Sequence, residues 1–232
     1  MSDDVFTDGS EWWQDPRNFP TLTRTFVTSD THIGHENVLR HDGRPFPTIE
    51  EHDAAILANT IRTVPRGATL IHLGDVAGMR VKSAIPYLEA LRAAGIRVRL
   101  IKGNHDDKLH KLVGNLVENG VETDVLYLRL DSERFFLSHY AHRTWRNSHH
   151  GSYHLYGHSH GALPNYGRSM DVGVMVHDYK PISLFDAMTK LHDAPPTNHH
   201  RDLQKELDEA WGTIATLRQE IENHVLRSGY VG

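Results

Sequence analysis

Five strand-like runs in this chain each lead into an aspartate, an asparagine or a histidine, and that repetition constrains the fold more than any single segment. Thr25-Phe26-Val27-Thr28 ends in Ser29-Asp30, and Ala68 to Leu73 ends in Gly74-Asp75. The alternating run Ile96 to Ile101 is followed by Gly103-Asn104-His105-Asp106. Arg134–Leu137 runs towards His139, and His154-Leu155-Tyr156 leads into Gly157-His158-Ser159-His160. In α/β sheets, ligands bind outside the carboxyl ends of the strands. Separate strand ends can therefore deliver Asp30, Asp75, Asn104, His139 and His158 to one place.

The segments between these runs carry helical signals. Thr48 and Glu51 form a capping box ahead of an apolar-periodic stretch through Ile56, Leu57 and Ile61. Val81 to Ala94 reads as a helix in which Pro86 is tolerable only at some cost or with a kink, with Gly95 as its stop. Val125–Leu130 and Arg134–Leu137 read as two strands joined by a turn at Asp131-Ser132. Ser169–Val174 reads as a last strand and Ile182–Leu191 as a short helix. Alternating strands and helices followed by strands predict an α/β domain of mixed sheets covered by helices.

That domain is expected over 23–192. Residues 1–22 read as an irregular arm containing Trp12 and Trp13, 193–200 as a linker, and 201–232 as a C-terminal amphipathic helix. In that helix Leu203, Leu207, Ala210, Trp211, Ile214, Leu217, Ile221 and Val225 form a seam with alternating spacings of three and four. Packing on its own domain and pairing with a second copy as a homodimer are both open readings of the stripe.

The chain has 232 residues, a net charge of −5, no cysteine and 19 histidines. Absence of thiols excludes disulfides and thiolate metal sites, and with no apolar leader it sets an expectation of a cytoplasmic protein. No run approaches the roughly 18–20 apolar residues of a membrane span. The acidic balance offers no global field for nucleic acid, so strong nucleic-acid binding is not expected.

The set Asp30, His32, Asp75, Asn104, His139, His158 and His160 holds only oxygen and imidazole donors, as a hydrolytic metal site in a thiol-free chain requires. Two divalent ions can clamp an in-line displacement at phosphorus, one activating water and both holding phosphoryl oxygens. A bridging carboxylate is needed to hold them close, and Asp75, alone between glycine and valine, is the candidate.

Asp30-Thr31-His32, Gly74-Asp75, Gly103-Asn104-His105-Asp106, His139 and Gly157-His158-Ser159-His160, in that order, resemble the calcineurin-like metallophosphoesterase superfamily. The longer phrases Thr28 to Asn37 and Leu155 to Gly161 resemble a small bacterial and phage branch. The resemblance implies a four-layer α/β/β/α sandwich. It implies Asp30, His32 and His160 on a first metal, Asn104, His139 and His158 on a second, and Asp75 between them. His105 would contact phosphate and assist the leaving oxygen, with Asp106 orienting it. Gly74-Asp75-Val76-Ala77-Gly78-Met79 departs from the phosphoprotein-phosphatase pattern, which counts against a Ser/Thr protein phosphatase.

The expected activity is hydrolysis of a phosphodiester or phosphomonoester, small or nucleotide-like, by metal-activated water. Imidazole-rich ligation favours Mn, Fe, Zn, Ni or Co over Mg, with Mn expected to work best in vitro. Besides Asn104 and His105, the substrate-contact candidates are His35, Arg143 and Arg168. Rival readings are a DNA- or RNA-processing nuclease with the same site, a non-catalytic scaffold retaining the fold, and a single structural metal.

Overall fold

The computed structural model describes residues 21–228 apart from 79, 119, 120, 123 and 198. The expected arm, including Trp12 and Trp13, lies outside the described residues up to residue 20. The chain divides into two compact units, one ending at Pro196 and the other beginning at Thr197.

The first unit is built on two mixed sheets. One has the order β4-β3-β2-β1-β9, from β1 (Thr25–Thr28), β2 (Thr69–His72), β3 (Arg97–Ile101), β4 (Val121–Glu122) and β9 (Ile182–Ser183). Its strands are parallel except at the β1–β9 edge. The other sheet has the order β5-β6-β7-β8, from β5 (Val125–Leu130), β6 (Glu133–Ser138), β7 (Tyr153–Tyr156) and β8 (Ser169–Asp171). Here β5 and β6 form an antiparallel hairpin, and β6, β7 and β8 run parallel.

Alternation along the strands builds two cores. Phe26, Leu70, Val98 and Leu100 face α2 (Ile49–Thr63) and α3 (Ala84–Ala93), where Ile56, Tyr87, Leu88 and Leu91 are buried. Val27, Ile71 and Ile101 point the other way, into a cluster with Leu126, Leu128, Phe135, Leu137 and Leu155 of the second sheet. Helix α4 (Leu184–Leu191) adds Leu184, Ala187 and Leu191 to this cluster. Leu70 and Ile71 on β2 are both fully buried, each contributing about 1.5–3 kcal/mol, as a central strand covered on both faces requires. On the outer side of the second sheet His154 packs against His142, Trp145 and Phe136.

Several local expectations are met by their physical cause. Thr48 Oγ1 accepts from the Glu51 amide at 3.2 Å and starts α2. The β5–β6 turn places Asp131 and Ser132 at φ 49° and 72°, the doubly left-handed turn that matches strand twist. Three expectations are corrected. The helix expected over 81–94 starts later: residues 81–83 form a 3-10 turn, α3 begins at Ala84, and Pro86 sits in the first turn, where its missing N–H is not needed. The strand expected over 169–174 stops at Asp171, because its carboxylate accepts from the Gly173 amide at 2.6 Å and turns the chain. Ile182 and Ser183, read as the start of a helix, form the edge strand β9 against β1, and Ser183 caps α4 by accepting from the Asp186 amide. Helix α1 (Glu36–His41), six residues with Val38 as its one buried side chain, is too short to carry a readable period.

The second unit holds α5 (His199–Ser228), a 30-residue helix about 45 Å long at 1.5 Å per residue. Leu207, Trp211, Ile214, Leu217, Ile221 and Val225 are exposed on it, since a single helix cannot cover its own stripe.

Candidate metal centre

Each strand end turns sharply to aim its side chain. Asp30 follows β1, Asp75 follows β2, Asn104 follows β3, His139 follows β6 and His158 follows β7. Asp30, His32, Asp75, His158 and His160 all have positive φ, between 48° and 63°. The left-handed region costs an ordinary residue on the order of 1 kcal/mol, and such strain persists only where the surroundings enforce it. Here it is enforced by main-chain hydrogen bonds between the loops, Asp30 N to Gly74 O at 3.0 Å and His32 N to Asp75 O at 3.0 Å.

The motif glycines make these loops fit. A Cβ on Gly157 would run into Ser29 Oγ and Asp30 Oδ2, and one on Gly103 into the Asp75 carboxylate and amide. Their role is close approach between strand ends rather than turn geometry.

Two groups of donors result, and a third made of His32, Asp75 and His105 overlaps both. Asp30, His32 and His160 offer one atom each within 4.8 Å of one another, and so do Asp75, His139 and His158. Asn104 joins the second group, its Oδ1 3.0 Å from His139 Nε2. Asp75 Oδ2 lies 3.6 Å from His32 Nε2 and 3.6 Å from His139 Nε2, so one carboxylate oxygen stands between the groups. All seven residues singled out as ligands are thus brought together.

The donor chemistry fits cations. His139 Nδ1–H donates to Leu73 O at 2.8 Å, which leaves the Nε2 lone pair facing the Asn104 oxygen. His160 Nδ1–H donates to Asp42 Oδ2 at 2.6 Å, which leaves its Nε2 facing His32 Nε2 at 3.3 Å and Asp30 Oδ1 at 3.6 Å. Asp30 Oδ1 is buried without a hydrogen-bond partner. Converging lone pairs and an orphaned carboxylate oxygen in a buried site call for positive charge. Burial pushes the His32 imidazole down to about 2 and lowers His158, keeping both neutral as ligation requires. Burial would raise Asp30, but the imidazoles around it, His160, His139 and His32, hold its carboxyl down at about 2.

Residues 24–175 match the calcineurin-like phosphoesterase superfamily domain, well over half of the chain. The chain belongs to that superfamily. As a calcineurin-like phosphoesterase it stands among metal-dependent phosphoesterases. It is 28% identical over 180 residues to an uncharacterized protein of Methanocaldococcus jannaschii, covering 74% of this chain and 92% of that one. It is also 28% identical over 166 residues to the gene 66 protein of Mycobacterium phage L5, covering 61% of this chain and 80% of the phage protein. A solved structure of a protein of unknown function from Aquifex aeolicus aligns at a TM-score of 0.55 with 25% identity, over 70% of this chain and 96% of that one.

In this calcineurin-like phosphoesterase the remaining candidates sort by what they touch. His105 is half-buried, its amide donates to Asp75 Oδ1 at 2.9 Å, and its ring stands 5.1 Å from His32 and 5.5 Å from His35. His35 therefore lines the same opening. Asp106 does not orient His105. Its buried carboxylate accepts from the amides of Asp75 at 2.7 Å, Gly103 at 2.9 Å and Val76 at 3.3 Å, and burial raises it to about 6. Arg168 is corrected as a substrate contact: its guanidinium donates to the carbonyls of Ala194, Gly151 and His192 and lies over Tyr153. Arg143 lies over the Tyr166 ring. His154 belongs to the core, with Nδ1–H donating to Phe136 O and Nε2 accepting from the His142 amide.

Asp171, read from sequence only as part of a closing strand, accepts from Ser159 Oγ at 2.5 Å and the Gly161 amide at 2.9 Å and so pins the His158–His160 turn. Asp42 carries no sequence signal beyond its place before a glycine. Exposed Tyr140 sets its ring against His139 and His158 and was likewise unmarked.

Proposed function

We propose that this chain hydrolyses phosphate esters, diester or monoester, of a small or nucleotide-like molecule at a centre holding two divalent cations, with Mn the most effective in vitro. The observation that carries this reading is Asp75 Oδ2, equidistant at 3.6 Å from one imidazole of each donor group. Asp30, His32 and His160 would hold one ion, Asn104, His139 and His158 the other, and Asp75 both. Bound there, the ions would supply Lewis-acid charge to phosphoryl oxygens and lower the pKa of a water.

The chain's own groups do the rest. Asp30 and Asp75 return two negative charges against four positive, so the site keeps a net attraction for a phosphate ester. Asp30, His32, Asp75 and His139 are at most 2% exposed, which keeps bulk water from screening that charge. His105, tethered to Asp75 through its amide and half open to solvent, would give a proton to the departing oxygen. His35 stands beside it to contact a phosphoryl oxygen.

Metal analysis of the purified protein, followed by hydrolysis of aryl phosphate diesters and monoesters with and without His105→Ala, tests the reading. Two ions per chain and Mn-dependent turnover lost in the variant are expected. One ion per chain, or no turnover of any aryl ester by the Mn-loaded protein, sinks it.

A further inference from the structure

We infer that Asp42 is a positioning residue that fixes His160 for cation binding, and that the buried Arg44 anchors it to the Asp30–Gly34 loop. The inference rests on the two-cation reading and adds a group outside every motif of the site.

Asp42 closes α1, its amide donating to Val38 O at 3.0 Å. Its Oδ2 receives His160 Nδ1–H at 2.6 Å across 118 residues of chain, and Arg44 Nη2–H at 3.4 Å. The shorter contact goes to the histidine, so the carboxylate is not simply the counter-ion of Arg44.

Arg44 is 4% exposed and distributes its donors among main-chain oxygens of the site. Nη2 donates to Asp30 O at 2.9 Å, and Nη1 to Thr31 O at 3.3 Å and to His52 Nε2 at 2.9 Å. His52 Nδ1–H donates to Asp53 Oδ1 at 2.8 Å, and Asp53 Oδ2 accepts from the Gly34 amide at 2.9 Å. One hydrogen-bonded path thus grips residues 30, 31 and 34 by their backbone and ends on the ring of His160. It holds together the two stretches that supply Asp30, His32 and His160.

A carboxylate on Nδ1–H fixes the tautomer that leaves Nε2 as a lone-pair donor, sets the ring's rotation and increases its basicity. Removing Asp42 should therefore weaken one of the two cation sites and spare the one built on Asn104, His139 and His158.

Calorimetric titration of the metal-stripped full-length protein with Mn2+ tests this. Wild type should show two binding events, and Asp42→Ala should weaken one by about 10–100-fold while leaving the other within about twofold. Asp42→Asn, which still accepts the proton without the charge, should fall between. Nitrogen-15 spectra of the histidine rings in metal-free protein give a second reading. His160 should carry its proton on Nδ1 in wild type and Asp42→Asn, and lose that preference in Asp42→Ala. Unchanged events in Asp42→Ala, parallel weakening of both events with a general loss of thermal stability, or an unchanged His160 tautomer would overturn the inference. Wild-type protein that takes up no Mn2+ would overturn the two-cation reading and the inference with it.

Discussion

His32 and His160, 128 residues apart in the chain, face each other Nε2 to Nε2 at 3.3 Å in a pocket that keeps His32 neutral. His160 gives its Nδ1 proton to Asp42, so in the neutral ring its Nε2 is a lone pair aimed at another ring nitrogen. Such a contact is repulsive unless a proton or a cation sits between the rings, and Asp30 Oδ1 beside them is also unpartnered.

The first prediction concerns removal of metal. Chelation should abolish turnover, and it should lower the melting temperature, because the site's own groups then oppose one another. At a hundredfold excess over Kd one ion stabilises by about 2.7 kcal/mol, which for a chain of this size is about 5–10 °C. Thermal melts with EDTA and with added Mn2+ measure this, and coincident melts would refute it.

The second concerns His105. His105→Ala should lower kcat by about 10²–10⁴-fold with metal content unchanged, since its ring is outside the donor groups of Asp30 and His139 that the reading assigns to ions. Loss of a metal ion in the variant would instead make His105 a ligand, a role open to it because it forms a third cluster with His32 and Asp75.

A third concerns Gly157. Its Cβ would occupy the space of Ser29 Oγ and Asp30 Oδ2, so Gly157→Ala should cost about 1–3 kcal/mol and weaken Mn2+ binding. Gly212 in α5 has open space around it, and Gly212→Ala there should raise helix stability by about 0.5–1 kcal/mol without touching metal affinity. Equal Mn2+ affinity in the two variants would contradict the close-approach account.

The fourth concerns pH. Burial lowers His32 to about 2, His72 to about 3 and His154 to about 4, from an ordinary value of 6.5. Below 6.5 the unfolded chain binds protons at these rings that the folded chain refuses, so acidification favours unfolding. Their stabilising contribution is complete above pH 6.5 and declines as pH falls towards those lowered values. Asp106, raised to about 6 by burial, acts in the opposite sense, as do Asp75, Glu118 and His160, which are also raised, but His35, His158 and His177 are lowered by burial as well and make six rings against four groups. Metal-free protein should therefore melt at lower temperature at pH 5 than at pH 7, and a higher melting temperature at pH 5 would contradict this.

Much of the fold was legible because strand and helix periods are local. β1, β2, β3, β6 and β7 lie where the apolar runs put them, and their ends carry the polar residues that the motifs mark. What was misread lies where a tertiary contact overrides a local pattern. Ile182-Ser183 has the look of a helix start, yet the open edge of β1 recruits it as a strand. Arg168 reads as a phosphate ligand, yet the carbonyls of Gly151, His192 and Ala194 take its guanidinium. Asp106 reads as a partner of His105, yet it clamps the amides of two loops instead.

Residue types and their order determined which donors this chain could bring to a site, because oxygen and imidazole donors at successive strand ends have one rim to meet at. Only the tertiary structure decided how they are held. The left-handed backbone at Asp30, His32, Asp75, His158 and His160, and the Asp42, Arg44 and Asp171 contacts behind them, exist because hydrogen bonds between distant loops outweigh the local preference of each residue. A one-dimensional pattern records that preference, while the bonds that overrule it form only once the sheets have folded.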